Sequence, residues 1–456
     1  MYKKILIASL TLIAGLASCK KDDPTPSPNP PSTLTIDGVA SNLEFYQLDT
    51  AHLSVAGVAK DAAAKAVWAV NGAKAAEGAT FDFTTAHPGK YEVTLTVDGK
   101  SAKRTYTVAP RFSEGAFLLN EGNFGNETGS LTYIHPSKKL VIDQAYYRVN
   151  GTKLGNVCQD LAFGNDQIYI LSQLGPKNGG EGLLTIARSN SLEKVKVYND
   201  EALAQSTPTH IAVLRDHIYI RTERDGILRG SSEGGFTPIT GTKKALKQRM
   251  AQIGERLFAL TSDSKVLMIQ GTQVVRELDL SPAKPSGIAV SHDGKLWVST
   301  TSPNAILKVD PTPDNFVALD THVLDKSISA TGSQSWERTT SSAFFAHGDK
   351  LYFTGQSSVI YCHDFATSKT SQVIDVKTID GVGTSANKYY NSLGVDPATG
   401  ELYYAAFEDY GTYNKKNVTM VLKADGTKLL LKEKVNSFPA GFYFIPNAAS
   451  RTGANR

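Results

Sequence analysis

The chain has 456 residues, of which 41% are hydrophobic and 20% are charged, and its formal net charge is +4. These values are ordinary for a soluble globular protein, and the length allows one small and one large domain. A charge this small, without a basic stripe carrying interleaved aromatic residues, argues against a nucleic-acid partner.

Residues 1–18 have the pattern of an export leader. Lys3-Lys4 precedes an apolar run over 5–17, which is too short to cross a bilayer but has the length of a signal-peptide core. The run ends in Leu16-Ala17-Ser18-Cys19, which resembles a bacterial lipobox. That resemblance implies cleavage before Cys19 and lipidation of this cysteine. The alternative is a secreted protein with a chance cysteine at the cleavage site.

Residues 19–32 predict a lipidated cysteine followed by a linker. Lys20-Lys21-Asp22-Asp23 resembles the charged export signal of surface lipoproteins in Bacteroidetes-type bacteria, and a proline-rich spacer follows it. No later segment is long and apolar enough to span a membrane, so lipid is the expected anchor. Cys158 and Cys362 are expected to be small buried residues without a disulfide.

Residues 33–109 predict a small antiparallel β-sandwich. Apolar and polar residues alternate around Trp68, Phe81-Asp82-Phe83 and 88–97, and Asn71-Gly72 is a tight-turn signal. This combination resembles the PKD and related Ig-like domains of bacterial surface proteins. Such domains usually space or present another domain, so no ligand site is expected here.

One sequence pattern recurs along most of the chain. Residues 284–300 (KPSGIAVSHDGKLWVST) predict a strand, a turn at Asp293-Gly294 and a second strand. Successive second strands are spaced by 50, 39, 39, 55 and 51 residues. This period is typical of β-propeller blades. The predicted second strands begin at Ile168, Ile218, Leu257, Leu296, Leu351 and Leu402.

The two ends of the repeat region complete each other. Residues 115–120 resemble a second strand without a first, and residues 439–444 resemble a first strand without a second. We predict that they share one blade, with the C-terminal strand innermost, which closes the ring without open sheet edges. The fold is therefore all-β: a seven-bladed β-propeller over 111–447, with a flexible tail at 448–456. Six or eight blades are the alternatives.

Three insertions are longer than a tight turn and fall on the predicted loop-bearing face, at 120–126, 331–340 and 407–414. Aromatic faces combined with a few polar groups suit a small-molecule site. The alternative is that these residue types simply follow from loop length. The candidate ligand-binding residues in the insertions are Asn123, Phe124, Trp336, Arg338, Phe407, Tyr410 and Tyr413.

Polar residues at the start of the first strands predict a ring of polar side chains at the mouth of the central channel. Channel water and structural hydrogen bonds are the alternative role for them. The candidate ligand-binding residues in this ring are Asp160, His210, Arg249 and Tyr390.

Signals for catalysis are weak. The sequence has no HxH, HExxH or CxxC spacing, no G-x-S-x-G elbow and no phosphate-binding glycine loop. We therefore predict no catalytic residue, no metal and no cofactor, and a protein that is not an enzyme. Glu121, Asp160 and Glu408 meeting over the axis would instead suit a calcium-dependent lactonase or a lyase.

Residues 117–136 (FLLNEGNFGNETGSLTYIHP) resemble the opening blade of YncE-like propeller lipoproteins of Bacteroidetes. The IYI, LWV and LYF strands agree with the wider YVTN/YncE-like group. Relatives include the BtuG lipoproteins, which capture cobalamin above a TonB-dependent transporter. The resemblance implies a lipid-anchored protein of the outer membrane that faces the cell exterior and passes a small nutrient, such as cobalamin, to a TonB-dependent receptor.

Two other classes of function stay open. One is a propeller lyase or lactonase that acts on glycans or lactones, which a convergent carboxylate site over the axis would favour. The other is a scaffold that binds another envelope protein, which flat apolar loops without a pocket would favour.

Overall fold

The computed structural model describes residues 33–40, 44–326, 344–355, 357–389 and 392–446. The predicted leader, linker and tail lie outside these residues, and so do four candidate residues: Cys19, Trp336, Arg338 and Tyr390. Contacts divide the chain into two compact units. Among the described residues, the first unit contains 33–40, 51–82 and 91–105, and the second contains 44–50, 83–90 and 106–446.

The strands before residue 110 form two sheets. Trp68 is fully buried, and Asn71 and Gly72 adopt left-handed φ values of 49° and 81° at a tight turn. The buried tryptophan and the turn are confirmed, whereas the PKD-like identity stays a prediction. The elements are β1 (Thr35–Gly38), β2 (Phe45–Tyr46), β3 (Thr50–Ala56), α1 (Lys60–Ala63), β4 (Val67–Val70), β5 (Ala73–Glu77), β6 (Thr80–Thr84), β7 (Gly89–Val97) and β8 (Lys100–Ala109). The sheet orders are β1-β3-β6 and β2-β8-β7-β4-β5.

The remaining strands form seven four-stranded antiparallel sheets, which are the blades of a β-propeller. One sheet, the closure blade, joins the two ends of the domain. Its N-terminal strands are β9 (Ala116–Asn120), β10 (Ser130–His135) and β11 (Leu140–Ile142), followed by helix α2 (Ala145–Asn150). Blade 1 contains β12 (Asn156–Gly164), β13 (Gln167–Gly175), β14 (Leu184–Arg188) and β15 (Lys194–Tyr198), and helix α3 (Glu201–Ser206) follows it.

The next five blades repeat the same order of four strands. Blade 2 contains β16 (Pro208–Leu214), β17 (His217–Thr222), β18 (Gly226–Ser231) and β19 (Gly234–Pro238). Blade 3 contains β20 (Ala251–Ile253), β21 (Arg256–Leu260), β22 (Lys265–Gln270) and β23 (Gln273–Asp279). Blade 4 contains β24 (Lys284–Val290), β25 (Leu296–Thr301), β26 (Ala305–Val309) and β27 (Ala318–Val323).

Blades 5 and 6 complete the internal repeats. Blade 5 contains β28 (Phe344–His347), β29 (Lys350–Phe353), β30 (Val359–Asp364) and β31 (Lys369–Asp375). Blade 6 contains β32 (Leu393–Val395), β33 (Leu402–Phe407), β34 (Asn417–Leu422) and β35 (Lys428–Glu433). Short 3₁₀ turns occur at Lys177–Gly179, Pro313–Asn315, Val376–Thr378 and Gly383–Ala386.

The last strand, β36 (Pro439–Phe444), closes the ring. It pairs antiparallel with β9, placing Phe442 opposite Leu118 and Tyr443 opposite Phe117. The predicted closure and the count of seven blades are therefore confirmed. Because this pairing covers the inner edge of β9, the closure blade has four strands, as its neighbours do.

The first strands of the blades lie innermost, next to one another around the axis. The second strands are almost entirely buried, since both of their faces pack against neighbouring blades, and their sequences are correspondingly apolar. We call the end of the ring where chains enter the first strands the rim face, and the end with the turns between first and second strands the hairpin face.

Two smaller observations concern the cysteines and the helices. Cys158 and Cys362 are both buried and unpaired. Among the described residues, no helix combines the length and apolar character needed to cross a membrane.

Candidate functional site

A polar pocket of about 340 Å³ lies on the rim face beside the closure blade. We call it the rim pocket. It forms where the loop before β10, the start of α2 and the chain entering β36 come together. The residues used below that line it are Asn120, Glu127, Asp143, Asn436 and Ser437.

Backbone hydrogen bonds fix the 120–130 loop to the chain that enters β36. The amide of Glu121 donates to the carbonyl of Phe438 at 2.8 Å, and the amide of Gly122 donates to that of Ser437 at 3.2 Å. Asn120 Oδ1 accepts the amide N–H of Ser437 at 3.0 Å. The pocket wall is therefore held by main-chain contacts, which preorganise it for a ligand.

Asn436 supplies a buried acceptor that lacks a donor. Its side-chain nitrogen donates to the carbonyl of Val418 at 3.0 Å and to the hydroxyl of Thr419 at 3.1 Å. Its Oδ1 atom is buried and has no hydrogen-bond partner in the described part of the chain. A buried carbonyl oxygen without a donor costs about 1–3 kcal/mol, so this atom is suited to accept from a bound molecule.

Two carboxylates add further acceptors. Asp143 Oδ1 accepts from the backbone amide of Gln144 at 2.8 Å, and burial raises the pKa of Asp143 above its usual value. Glu127 Oε2 accepts from Ser437 Oγ at 2.8 Å. A pocket this rich in acceptors favours a ligand with hydroxyl, amide or ammonium donors.

An aromatic cluster lies next to the 120–130 loop. The ring of Phe438 lies 4.4 Å from that of Tyr413 and 5.4 Å from that of Phe407, and it stacks on Tyr410 at 6.0 Å. Asn123 Nδ2 donates to Tyr413 Oη at 3.5 Å. The predicted insertions at 120–126 and 407–414 therefore meet at the contact between Asn123 and Tyr413.

The other predicted rim residues have different environments. Phe124 is 62% exposed, with the ammonium of Lys177 4.8 Å from its ring centroid. Phe407 is fully buried, and Tyr413 is only 7% exposed. The expectation that Phe407 offers an exposed face is wrong for this conformation, because Tyr410 and Phe438 cover it.

Two residues predicted at the channel mouth form an ion pair. Arg249 Nε lies 3.2 Å from Asp160 Oδ1, which also accepts from Tyr443 Oη at 2.7 Å. Asp160 Oδ2 accepts from the amide of Ile211 at 2.9 Å. His210 is also buried, with Nδ1 at 3.1 Å from Thr209 Oγ1, and its role at the channel mouth stays a prediction.

Within the described ranges, no group of three or more His, Cys, Asp or Glu side chains could hold a metal ion. Trp336, Arg338 and Tyr390 lie outside those ranges, so their proposed roles stay predictions. Asn436, Asp143 and Phe438 are the residues that the sequence reasoning missed. A signal for two of them was present, because 434–438 is the loop that enters the closing strand.

These features define a closed seven-bladed β-propeller with a polar pocket on its rim face. A family model described as a domain of unknown function, DUF5074, matches residues 114–446, and the chain belongs to that family. The match covers the described propeller almost completely.

Comparison with a solved structure supports the fold alone. A quinonprotein alcohol dehydrogenase-like protein from Bacteroides thetaiotaomicron is similar, with a TM-score of 0.58 and 15% identity over 92% of this chain and 98% of that protein. Virginiamycin B lyase from Staphylococcus aureus has a TM-score of 0.42 and 13% identity over 63% of this chain and 90% of the lyase. No curated protein matches the chain by sequence.

Proposed function

We propose that this protein binds a small nutrient in the rim pocket and performs no chemistry on it. The observation that carries the proposal is that Asn436, a residue lining the pocket, has a buried Oδ1 atom without a donor within the described residues. A volume of about 340 Å³ lies within the usual range for small-molecule sites. Such a pocket encloses a small donor-bearing ligand or the amide-bearing edge of a larger one, such as a corrinoid.

The setting that we propose is the outer surface of the outer membrane. Lipidation of Cys19 would anchor the chain, and the proline-rich segment after it would hold the folded part away from the bilayer. The resemblance to YncE-like lipoproteins supports transfer of the ligand to a TonB-dependent transporter. Cobalamin is the ligand that this resemblance favours.

Calorimetric titration of the purified protein with cobalamin, haem and a ferric siderophore tests this function. We expect cobalamin to bind with a Kd below about 1 μM, which corresponds to about −8 kcal/mol. If none of the three binds more tightly than that, the proposed ligand class is wrong.

A matched pair of variants tests the position of the site. Asp143→Asn keeps the shape of the side chain but removes its charge, so we expect the ligand Kd to rise about tenfold, or ~1.4 kcal/mol. Asp314→Asn makes the same change at an exposed position outside the pocket and should leave the Kd unchanged. Equal affinities for the two variants would place the ligand elsewhere.

A further inference from the structure

A second cavity, of about 410 Å³, lies around the ring axis toward the hairpin face. We call it the axial cavity. It is open where Gln252 and Val290 are exposed. Its wall is mainly apolar and comes from the first strands of six of the seven blades. The wall residues include Phe163, Ile288, Phe345, Ala346, Val395 and Phe444.

Arg249 forms a polar inner wall of this cavity. Its guanidinium lies 4.0 Å from the ring centroid of Tyr443, and Nη1 donates to the carbonyl of Phe442 at 3.4 Å. The side chain starts on blade 3 and reaches the closure blade, passing over Gly441, where a Cβ would collide with Nη2. Arg249 Nη2 therefore occupies the space that a side chain at residue 441 would need.

Two polar atoms at this inner wall lack partners. Arg249 Nη2 and Gln248 Oε1 are both buried without a hydrogen bond in the described part of the chain, and both residues line the cavity. The first is a donor and the second is an acceptor. In contrast, the positive charge of Arg249 is already opposed by Asp160, whose carboxylate lies 3.2 Å away.

We propose that the axial cavity is a second ligand site, separate from the rim pocket, for an uncharged apolar molecule with one carboxamide head. The carbonyl of the amide accepts from Arg249 Nη2, its N–H donates to Gln248 Oε1, and the apolar body packs against the phenylalanine-rich wall. A ligand with a carboxylate head is disfavoured, because Arg249 is already paired with Asp160 and a second buried anion would lack a counter-ion among the lining residues.

Three probes with the same ring system separate these contributions. Fluorescence titration of the full chain with 2-naphthamide, 2-naphthoate and 2-methylnaphthalene compares an amide, an anion and a hydrocarbon. We expect 2-naphthamide to bind at least about tenfold more tightly than either of the others. Equal or tighter binding of 2-naphthoate, or no binding of 2-naphthamide, would overturn the proposal.

Variants place the probe in the cavity. Ala346→Trp fills part of the axial cavity and should abolish 2-naphthamide binding, whereas Val323→Trp adds the same ring at a 72% exposed position and should leave it unchanged. Arg249→Lys keeps the charge beside Asp160 but removes Nη2, so it should weaken 2-naphthamide about tenfold and leave 2-methylnaphthalene unaffected.

The rim variant Asp143→Asn should not change 2-naphthamide binding, because the two cavities share no lining residue. Binding that survives Ala346→Trp, or that is lost in Asp143→Asn, would refute an axial site. Ala346→Trp needs no change to the polar inner wall, so it keeps the test valid if Arg249→Lys fails to fold.

Discussion

The rim pocket and the axial cavity are built from the same ring but have opposite chemistry. The rim pocket is walled by loops and offers acceptors such as Asn436 Oδ1 and the Asp143 carboxylate. The axial cavity is walled by regular strands and is mainly apolar. Loops are free of the alternation of a strand and can place polar side chains in many directions, whereas the first strands of neighbouring blades repeat the apolar residues that let the ring pack.

One stretch of chain nevertheless contributes to both cavities. Residues 434–437 line the rim pocket, and residues 442–444 line the axial cavity. Pairing of β36 with β9 lies between these two segments. The contrast between the two sites therefore depends on a single structural event, the closure of the ring.

Deletion of residues 439–456 gives the largest expected effect. Without β36, β9 loses its inner partner, and the buried residues Phe442 and Tyr443 are removed from the core. We expect loss of cooperative thermal unfolding, measured by circular dichroism, together with loss of binding at both sites.

Deletion of residues 447–456 is the matched control, because it removes no described strand. We expect it to leave the melting midpoint unchanged. A chain without β36 that still melts cooperatively at the original midpoint would show that closure does not hold the two cavities together.

The features that could be predicted from the sequence are those set by local patterns. Alternating residues and the Asp293-Gly294 turn specify hairpins, so the starts of the second strands were predictable. The incomplete repeats at the two ends predicted that residues 115–120 and 439–444 share one blade, and β36 does pair with β9. The rim loops stood out because insertions in a repeat are visible by length, and two of them do meet at Asn123 and Tyr413.

The detailed sites could not be predicted, because they depend on side-chain direction over long separations. Asp160 and Arg249 are 89 positions apart, Asp160 follows a register shift at Gln159, and Arg249 Nη2 lies in the space that a side chain at residue 441 would need. Asn436 is directed by hydrogen bonds to Val418 and Thr419 in the neighbouring blade. No short pattern in the sequence encodes such contacts.

Asp160→Ala tests the polar inner wall, with a smaller effect than loss of closure. The variant leaves Arg249, whose side chain is 24% exposed, without its carboxylate partner, and it also removes the acceptor for Tyr443 Oη. Removal of one member of a buried ion pair costs about 3–5 kcal/mol, which we expect as a loss in the free energy of unfolding by urea.

Glu255→Ala is the control, because it removes an ion pair with Arg215 whose two side chains are 56% and 77% exposed. We expect no measurable change in its unfolding midpoint. If Asp160→Ala is as stable as Glu255→Ala, the ion pair of Asp160 with Arg249 does not stabilise the channel. The polar inner wall of the axial cavity would then not be a fixed feature that sets it apart from the rim pocket.

The smallest effect that we expect is a difference in pH dependence between the two sites. Burial raises the pKa of Asp143, so this carboxylate protonates closer to neutral pH than an ordinary aspartate, whose pKa is about 3.9. Protonation removes an acceptor, so affinity for the rim ligand should fall by up to about tenfold as the pH is lowered through the raised pKa of Asp143. Asp143→Asn should abolish this fall. Binding of 2-naphthamide in the axial cavity should be the same in the wild type and in Asp143→Asn at every pH, because Asp143 does not line that cavity. Calorimetric titration of both ligands between pH 7.5 and pH 4.5 measures the difference, and parallel profiles would mean that the two ligands share one site.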